Sequence, residues 1–199
     1  MSAVFLEGER IHLRPVDVDS DLELFYRGEN DPAVRDALFL ALPVTRQALR
    51  ERLSQQLISK EAILFTICTN EPVQPVGVTA FFRLDYVSRA AVFYLALLDP
   101  AQWSKGYGGE ATKLMVDYAF ATLNLNRIQL HVCAENAPAI RIYQKAGFVK
   151  EGVLRQAMYR RGGYVDFWVM GILRRDWEEG GPTVGAGRRE AKRQTRPPI

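Results

Sequence analysis

Three apolar runs follow one another almost without interruption: "AILFTICT" (62–69), "VGVTAFFRL" (76–84) and "AAVFYLALL" (90–98), separated only by "NEPVQP" and "DYVSR". A parallel crossover needs about a dozen residues or more, so links this short place the three strands as antiparallel neighbours. Before them, "ERIHLRPV" alternates as a strand and ends where "DVDSD" supplies helix-capping residues. Residues 21–28 and 44–60 then read as helices, the second capped by Thr45 with Leu49, Leu53, Gln56 and Leu57 at helical spacing. Residues 29–43 form a broken, partly helical connector.

Behind the triplet the order changes. "YGGEATKLMVDYAFATLNL" sets Ala111, Leu114, Met115, Tyr118, Ala119 and Thr122 on one helical face. A strand over 127–134, a helix over 137–146 and two strands, 152–160 and 164–173, around "RRGG" complete the chain. Strands dominate the front and a βαβα pattern the back, the signature of a mixed α/β domain.

At 199 residues and 48% hydrophobic composition the chain supports one well-buried core. Its two cysteines, Cys68 and Cys133, lie inside strands without a partner at metal-ligand spacing, and His12 and His131 are equally isolated, so no metal site is expected. The apolar runs are too short to span a membrane and the N-terminus lacks a signal pattern, which predicts a cytoplasmic protein. Residues 180–199 carry Arg188, Arg189, Lys192, Arg193 and Arg196 against Glu190, while the remainder holds twenty-one basic and twenty-two acidic residues. With few large apolar side chains that tail cannot offset its ordering entropy and is expected to be disordered. Nucleic acid would be met there if anywhere.

"QWSKGYGGEA" (102–111) runs a glycine-rich turn straight into the helix. The first amides of a helix have no intrahelical partner and sit at the positive end of its dipole, so Gly106, Gly108 and Gly109 would let a phosphate reach them. Other readings exist. "GYGGEA" formally fits the dinucleotide fingerprint, but "DPAQWSK" and several strands intervene where a strand should end directly. No Gly-Lys-Ser/Thr follows, which excludes a P-loop, and a tight turn alone remains open.

A second segment bears on the choice. "ENAPAIRIYQKAGF" (135–148) has Asn136 as N-cap, Pro138 in the first turn and Gly147 as the C-terminal stop, with Asn136 and Tyr143 on one helix face. Taken alone, Tyr143 is as well explained by core packing as by chemistry.

In this order the two segments resemble the GNAT N-acetyltransferase family, and within it the group of the ribosomal-protein N-acetyltransferases RimJ and RimL. The family's pyrophosphate loop, Q/R-x-x-G-x-G/A, falls on Trp103 to Gly108, and N-x-x-A-x-x-x-Y-x-x-x-G-F falls on Asn136 to Phe148. Trp103 stands where the family usually has Gln or Arg. The resemblance covers about residues 8–178, giving a domain over 1–178 and a tail over 179–199. It implies an α/β fold with a mixed, mostly antiparallel sheet, helices on both faces, and splayed fourth and fifth strands, here 90–98 and 127–134.

The resemblance also implies direct transfer from acetyl-CoA, the cosubstrate, to an amine through a tetrahedral intermediate. Pantetheine would enter the splay and pair with the backbone of Leu95 and Leu97, while Trp103, Lys105, Gly106, Tyr107, Gly108 and Gly109 would hold the phosphates. Asn136 would orient the cofactor arm, and Tyr143 would serve as general acid for the departing thiolate. The strand that carries the base in many relatives reads Val92, Phe93, Tyr94, Leu95, Ala96, without an acid until Asp99, a turn former. Glu135 and Asp166 are the candidates, with a water relay as the alternative.

The expected acceptor is a protein or peptide α-amine, bound between residues 29–43 and the 152–173 strands with Arg155 and Tyr159 meeting its polar groups. An α-amine titrates near 7.7–8.0 against about 10.4 for lysine, so it needs little help from a base. The alternatives are a small-molecule amine (polyamine, amino-acid analogue or antibiotic) and a non-catalytic acyl-CoA-binding module. Either a monomer or a homodimer fits.

Overall fold

The computed structural model describes residues 3–180. The basic tail lies almost wholly outside them. Eight strands form one sheet in the order β1-β2-β3-β4-β5-β6-β8-β7. These are β1 (Leu6–Glu7), β2 (Ile11–Pro15), β3 (Ala62–Asn70), β4 (Val73–Asp85), β5 (Ala90–Leu97), β6 (Arg127–Cys133), β7 (Val149–Arg160) and β8 (Gly163–Leu173). The short links at 71–72 and 86–89 make β3, β4 and β5 antiparallel neighbours, as their lengths require. Among the described strands only β5 and β6 run parallel, and the connection between them is long enough to hold a helix.

Helices cover both faces. Helices α1 (Val18–Asn30), α2 (Pro32–Leu38) and α3 (Arg46–Ile58) pack Phe25, Val34, Leu49 and Leu53 against Val78, Ala80, Ala96 and Leu98. Helices α4 (Tyr107–Asp117) and α5 (Ala137–Lys145) pack Ala111, Met115, Ile140 and Tyr143 against Ile67, Phe93, Ile128 and Leu130 on the other face. Strand β5 thus contributes to both cores, Ala91 and Phe93 to one and Ala96 to the other, whereas β6 sends Ile128, Leu130 and Val132 into the α4–α5 core alone. A short α6 (Arg174–Gly180) follows β8. None of the described helices is long and apolar enough to cross a membrane.

Local signals set the helix ends. Thr45 accepts the Ala48 amide at 3.2 Å and Asp17 accepts the Ser20 amide at 2.8 Å, both as N-caps. The first helix is fastened by a buried ion pair, Asp21 accepting from Arg14 at 2.8 and 2.5 Å and from Thr66 Oγ1 at 2.6 Å. Removing one partner of such a pair would strand a buried charge. The end of the fourth helix departs from its sequence pattern. A wide turn over Tyr118–Thr122, with Leu123 donating to Tyr118 O at 3.0 Å, adds a residue to the helical repeat. The phase therefore shifts: Phe120 enters the core at 1% exposure and Thr122, expected there, faces solvent.

Candidate active site

Strands β5 and β6 pair only at Ala90–Val92 with Arg127–Gln129 and then separate. Leu98 donates to Val76 O at 2.9 Å, which sets the alternation on β5: residues 94, 96 and 98 bond toward β4. Leu95 and Leu97 therefore turn their backbone groups into the opening. The Trp103 indole donates to Leu97 O at 3.0 Å, so this side chain braces the loop onto the end of β5 instead of offering its N–H to a ligand. The N–H and C=O of Leu95 and the N–H of Leu97 remain for an extended arm.

At one end of the opening the glycine turn begins α4. Ser104 (φ 61) and Gly106 (φ 85) are left-handed, and Gly106 caps the helix without a side-chain acceptor. The amides of Tyr107 and Gly108 have no acceptor among the described residues, so they can meet a pyrophosphate. The Tyr107 ring packs on the core, and Lys105 Nζ donates to Gln102 Oε1 at 3.0 Å. Arg10, which nothing in the local sequence marks, lies across Gly106: its guanidinium pairs with Glu110 at 3.0 Å and donates to Lys105 O at 3.1 Å. That pairing offsets the carboxylate in the first turn and sets a cation beside the free amides.

The glycines differ in what they permit. A Cβ on Gly108 would stand 3.3 Å from Leu95 Cδ2, so this glycine lets the helix approach β5, whereas a Cβ on Gly109 would meet nothing within 4 Å. Gly109 is thus where a phosphate has room. The Gly109→Val protein should bind acetyl-CoA about tenfold more weakly by calorimetry, about 1.4 kcal/mol, with its fold intact. Unchanged affinity would separate this turn from the phosphates.

At the other end is a cavity of about 180 Å³ between β5, β6 and α5. Tyr143 and Asn136 both line it. Asn136 Oδ1 accepts the Ala139 amide at 3.1 Å, capping α5, and leaves its amide nitrogen free for a ligand. Tyr143 is 8% exposed, edge-on to Phe93 with ring centroids 6.2 Å apart, and its hydroxyl has no partner among the described residues. Burial, with a smaller contribution from nearby Tyr94, pushes the phenol up to about 12.

Neither expected base reaches this cavity. Glu135 is held by Arg160 Nη2 at 2.5 Å on the outer side of the turn, and Asp166 accepts the Gln156 amide at 2.8 Å, fixing a bulge between β7 and β8. Sequence reading passed over His131. It is exposed, lines the cavity, and alternates with Leu130 and Val132 onto the α1–α3 side of the sheet, where Tyr94 also points. The alternation in "RIQLHV" is the signal that identifies it.

Residues 29–43 and the β7–β8 hairpin do meet at the cavity mouth. Asp36 accepts from Arg161 at 2.9 and 3.0 Å, and Phe39, left-handed at φ 59, packs against Phe167 at 5.1 Å. Met158 and Phe167 line the cavity; Arg155 belongs to a separate hollow, and Tyr159 pairs with Tyr164 outside it.

A sheet opened wide enough for an extended arm, with free helix amides at one end and a buried phenol at the other, fits the chemistry of an acyl-CoA transferase. The chain belongs to the GNAT acetyltransferase family, whose domain model matches residues 10–149. The probable N-acetyltransferase YjcK of Bacillus subtilis is 31% identical over 87% of this chain and 99% of its own. A spermidine N(1)-acetyltransferase of Vibrio cholerae is 35% identical over 49% of this chain and 56% of its own. The crystal structure of the Vibrio cholerae spermidine N-acetyltransferase in complex with CoA and spermine superposes with a TM-score of 0.79. It shows 25% identity, covering 86% of this chain and 99% of that one. The chain is an N-acetyltransferase that uses acetyl-CoA. The narrower likeness to RimJ and RimL is not carried by these relatives, and a peptide α-amine is less well supported than a small-molecule amine.

Proposed function

We propose that the enzyme acetylates a small-molecule amine in the opening between β5 and β6. The observation that carries this reading is the roofed cavity: α2 and the β7–β8 hairpin, joined through Asp36 and Arg161, leave about 180 Å³ around Tyr143. A free amine enters such a compartment more readily than the terminus of a folded protein. The naming of relatives as spermidine acetyltransferases supports a small acceptor as well.

Acetyl-CoA supplies the activated acyl carbon and a thiolate leaving group. Leu95 and Leu97 hold the arm through backbone groups, the α4 amides and Arg10 hold the phosphates, and Asn136 orients the arm from the α5 start. Tyr143 donates a hydrogen bond where the thiolate charge develops. His131, approaching from the opposite face of the sheet, takes the proton from the attacking amine. Acid and base then sit on opposite sides of the reacting carbon, one on each face.

Following CoA release with small amines and with short peptides bearing free N-termini tests the acceptor. Turnover of small amines and little of peptides is expected. Preference for the peptides would reverse the reading.

A further inference from the structure

A second cavity, of about 210 Å³, lies between α1, α3 and the sheet. Its floor is Phe25, Leu53, Leu64 and Val78, each less than a tenth exposed, with Phe82 beside them. Tyr94 lines both this cavity and the one around Tyr143, and the segment after α2 continues from one to the other, Leu40 on this cavity and Phe39 on the one around Tyr143. An amine held beside Tyr143 therefore has a neighbouring place for the rest of its body.

The charge of that place is balanced. Glu29 is the one carboxylate among the residues lining the two cavities, and Arg52 Nη2 lies 2.5 and 2.6 Å from its oxygens. Around the mouth, Asp36 is likewise paired with Arg161 and Glu135 with Arg160. A polycation entering here would leave water without gaining an unpaired carboxylate. An apolar group loses nothing on entry, and an apolar cavity of roughly 150 Å³ is already large enough for benzene.

From this geometry we infer that the α1–α3 cavity receives the body of the acceptor, and that the acceptor is a monoamine carrying an aromatic or branched aliphatic group. The inference rests on the reading of the chain as a small-amine acetyltransferase, and it narrows the substrate within that class. It separates this enzyme from relatives named for spermidine.

The test uses the full chain with phenethylamine, 3-methylbutylamine, ethylamine and spermidine. The two apolar-bodied amines should exceed both ethylamine and spermidine in kcat/KM by about tenfold or more, the discrimination that one to a few buried methylenes provide. Gln56, half-buried at the cavity wall on α3, offers a position that disturbs no core residue. The Gln56→Trp protein should lose about tenfold of the phenethylamine-to-ethylamine preference. Arg52→Ala, which frees Glu29, should move the preference toward spermidine. Calorimetry of phenethylamine with the CoA-loaded protein reads the cavity apart from turnover, and weaker binding to Gln56→Trp is expected. Spermidine preferred by the parent protein, or phenethylamine binding that Gln56→Trp leaves unchanged, would overturn the inference. Turnover of peptides alone would instead reject the small-amine reading, while phenethylamine binding would still report on the cavity.

Discussion

The Tyr143→Phe enzyme should turn over about 10²-fold more slowly than the parent while binding acetyl-CoA equally well. The ring is fixed by Phe93 and Phe148, and phenylalanine preserves both contacts, so only the hydroxyl is lost. With the phenol pushed up to about 12 and a thiol near 8.5, complete proton transfer would be uphill by about 3.5 units, or ~5 kcal/mol, were the thiol unaffected by its surroundings. The same dry cavity penalises the thiolate too, so both values rise together and a short hydrogen bond between them gains strength. In the proposed reaction Tyr143 would thus serve mainly as a donor to developing charge. Because burial raises its pKa, the hydroxyl keeps its proton until the pH climbs toward 12, and the substitution should leave the pH profile below about 10 unaltered. Stopped-flow measurement of CoA release with parallel calorimetry checks both parts. Equal rates would reduce Tyr143 to a packing residue.

The His131→Ala enzyme should also lose about 10²-fold in kcat/KM, and added imidazole should restore part of it. An imidazole that takes the proton of the attacking amine acts on the acceptor side of the reaction, so acetyl-CoA binding measured by calorimetry should be unchanged in the variant. The titratable groups sharing the cavity with His131 are Tyr94, Cys133 and Tyr143, and no carboxylate lines it. A purely structural role would not produce rescue by imidazole. A variant that turns over at the parent's rate would assign the proton to water instead.

Much of this arrangement is legible in the chain because it depends on neighbours close in sequence. Asn136, Pro138 and Gly147 define α5 by themselves, and Gly147 does take a left-handed φ of 97. The strand triplet likewise follows from link length. What escaped reading depends on contacts far along the chain. Arg10 reaches the glycine turn from 95 residues away, and Leu95, which a Cβ on Gly108 would meet at 3.3 Å, is brought there only by the fold. Thr122 faces solvent against its place in the regular repeat because the turn holds one extra residue. Glu135 and Asp166 are the acids that the sequence offers as bases, yet each is engaged by a partner that only the folded hairpin brings near.

The short pairing of β5 with β6 has a thermodynamic consequence as well. Among the described residues, three residue pairs are the only ladder joining the five strands on one side of the sheet to the three on the other. An arm lying along β5 would supply backbone bonds that the protein itself lacks, so part of the sheet's cohesion is borrowed from the cosubstrate. Native-state stability is then linked to cosubstrate concentration, by about 2.7 kcal/mol at a hundredfold excess over Kd. A fall in acetyl-CoA would lower not only the rate of this enzyme but also the fraction of it that stays folded, tying its persistence to the supply of what it consumes.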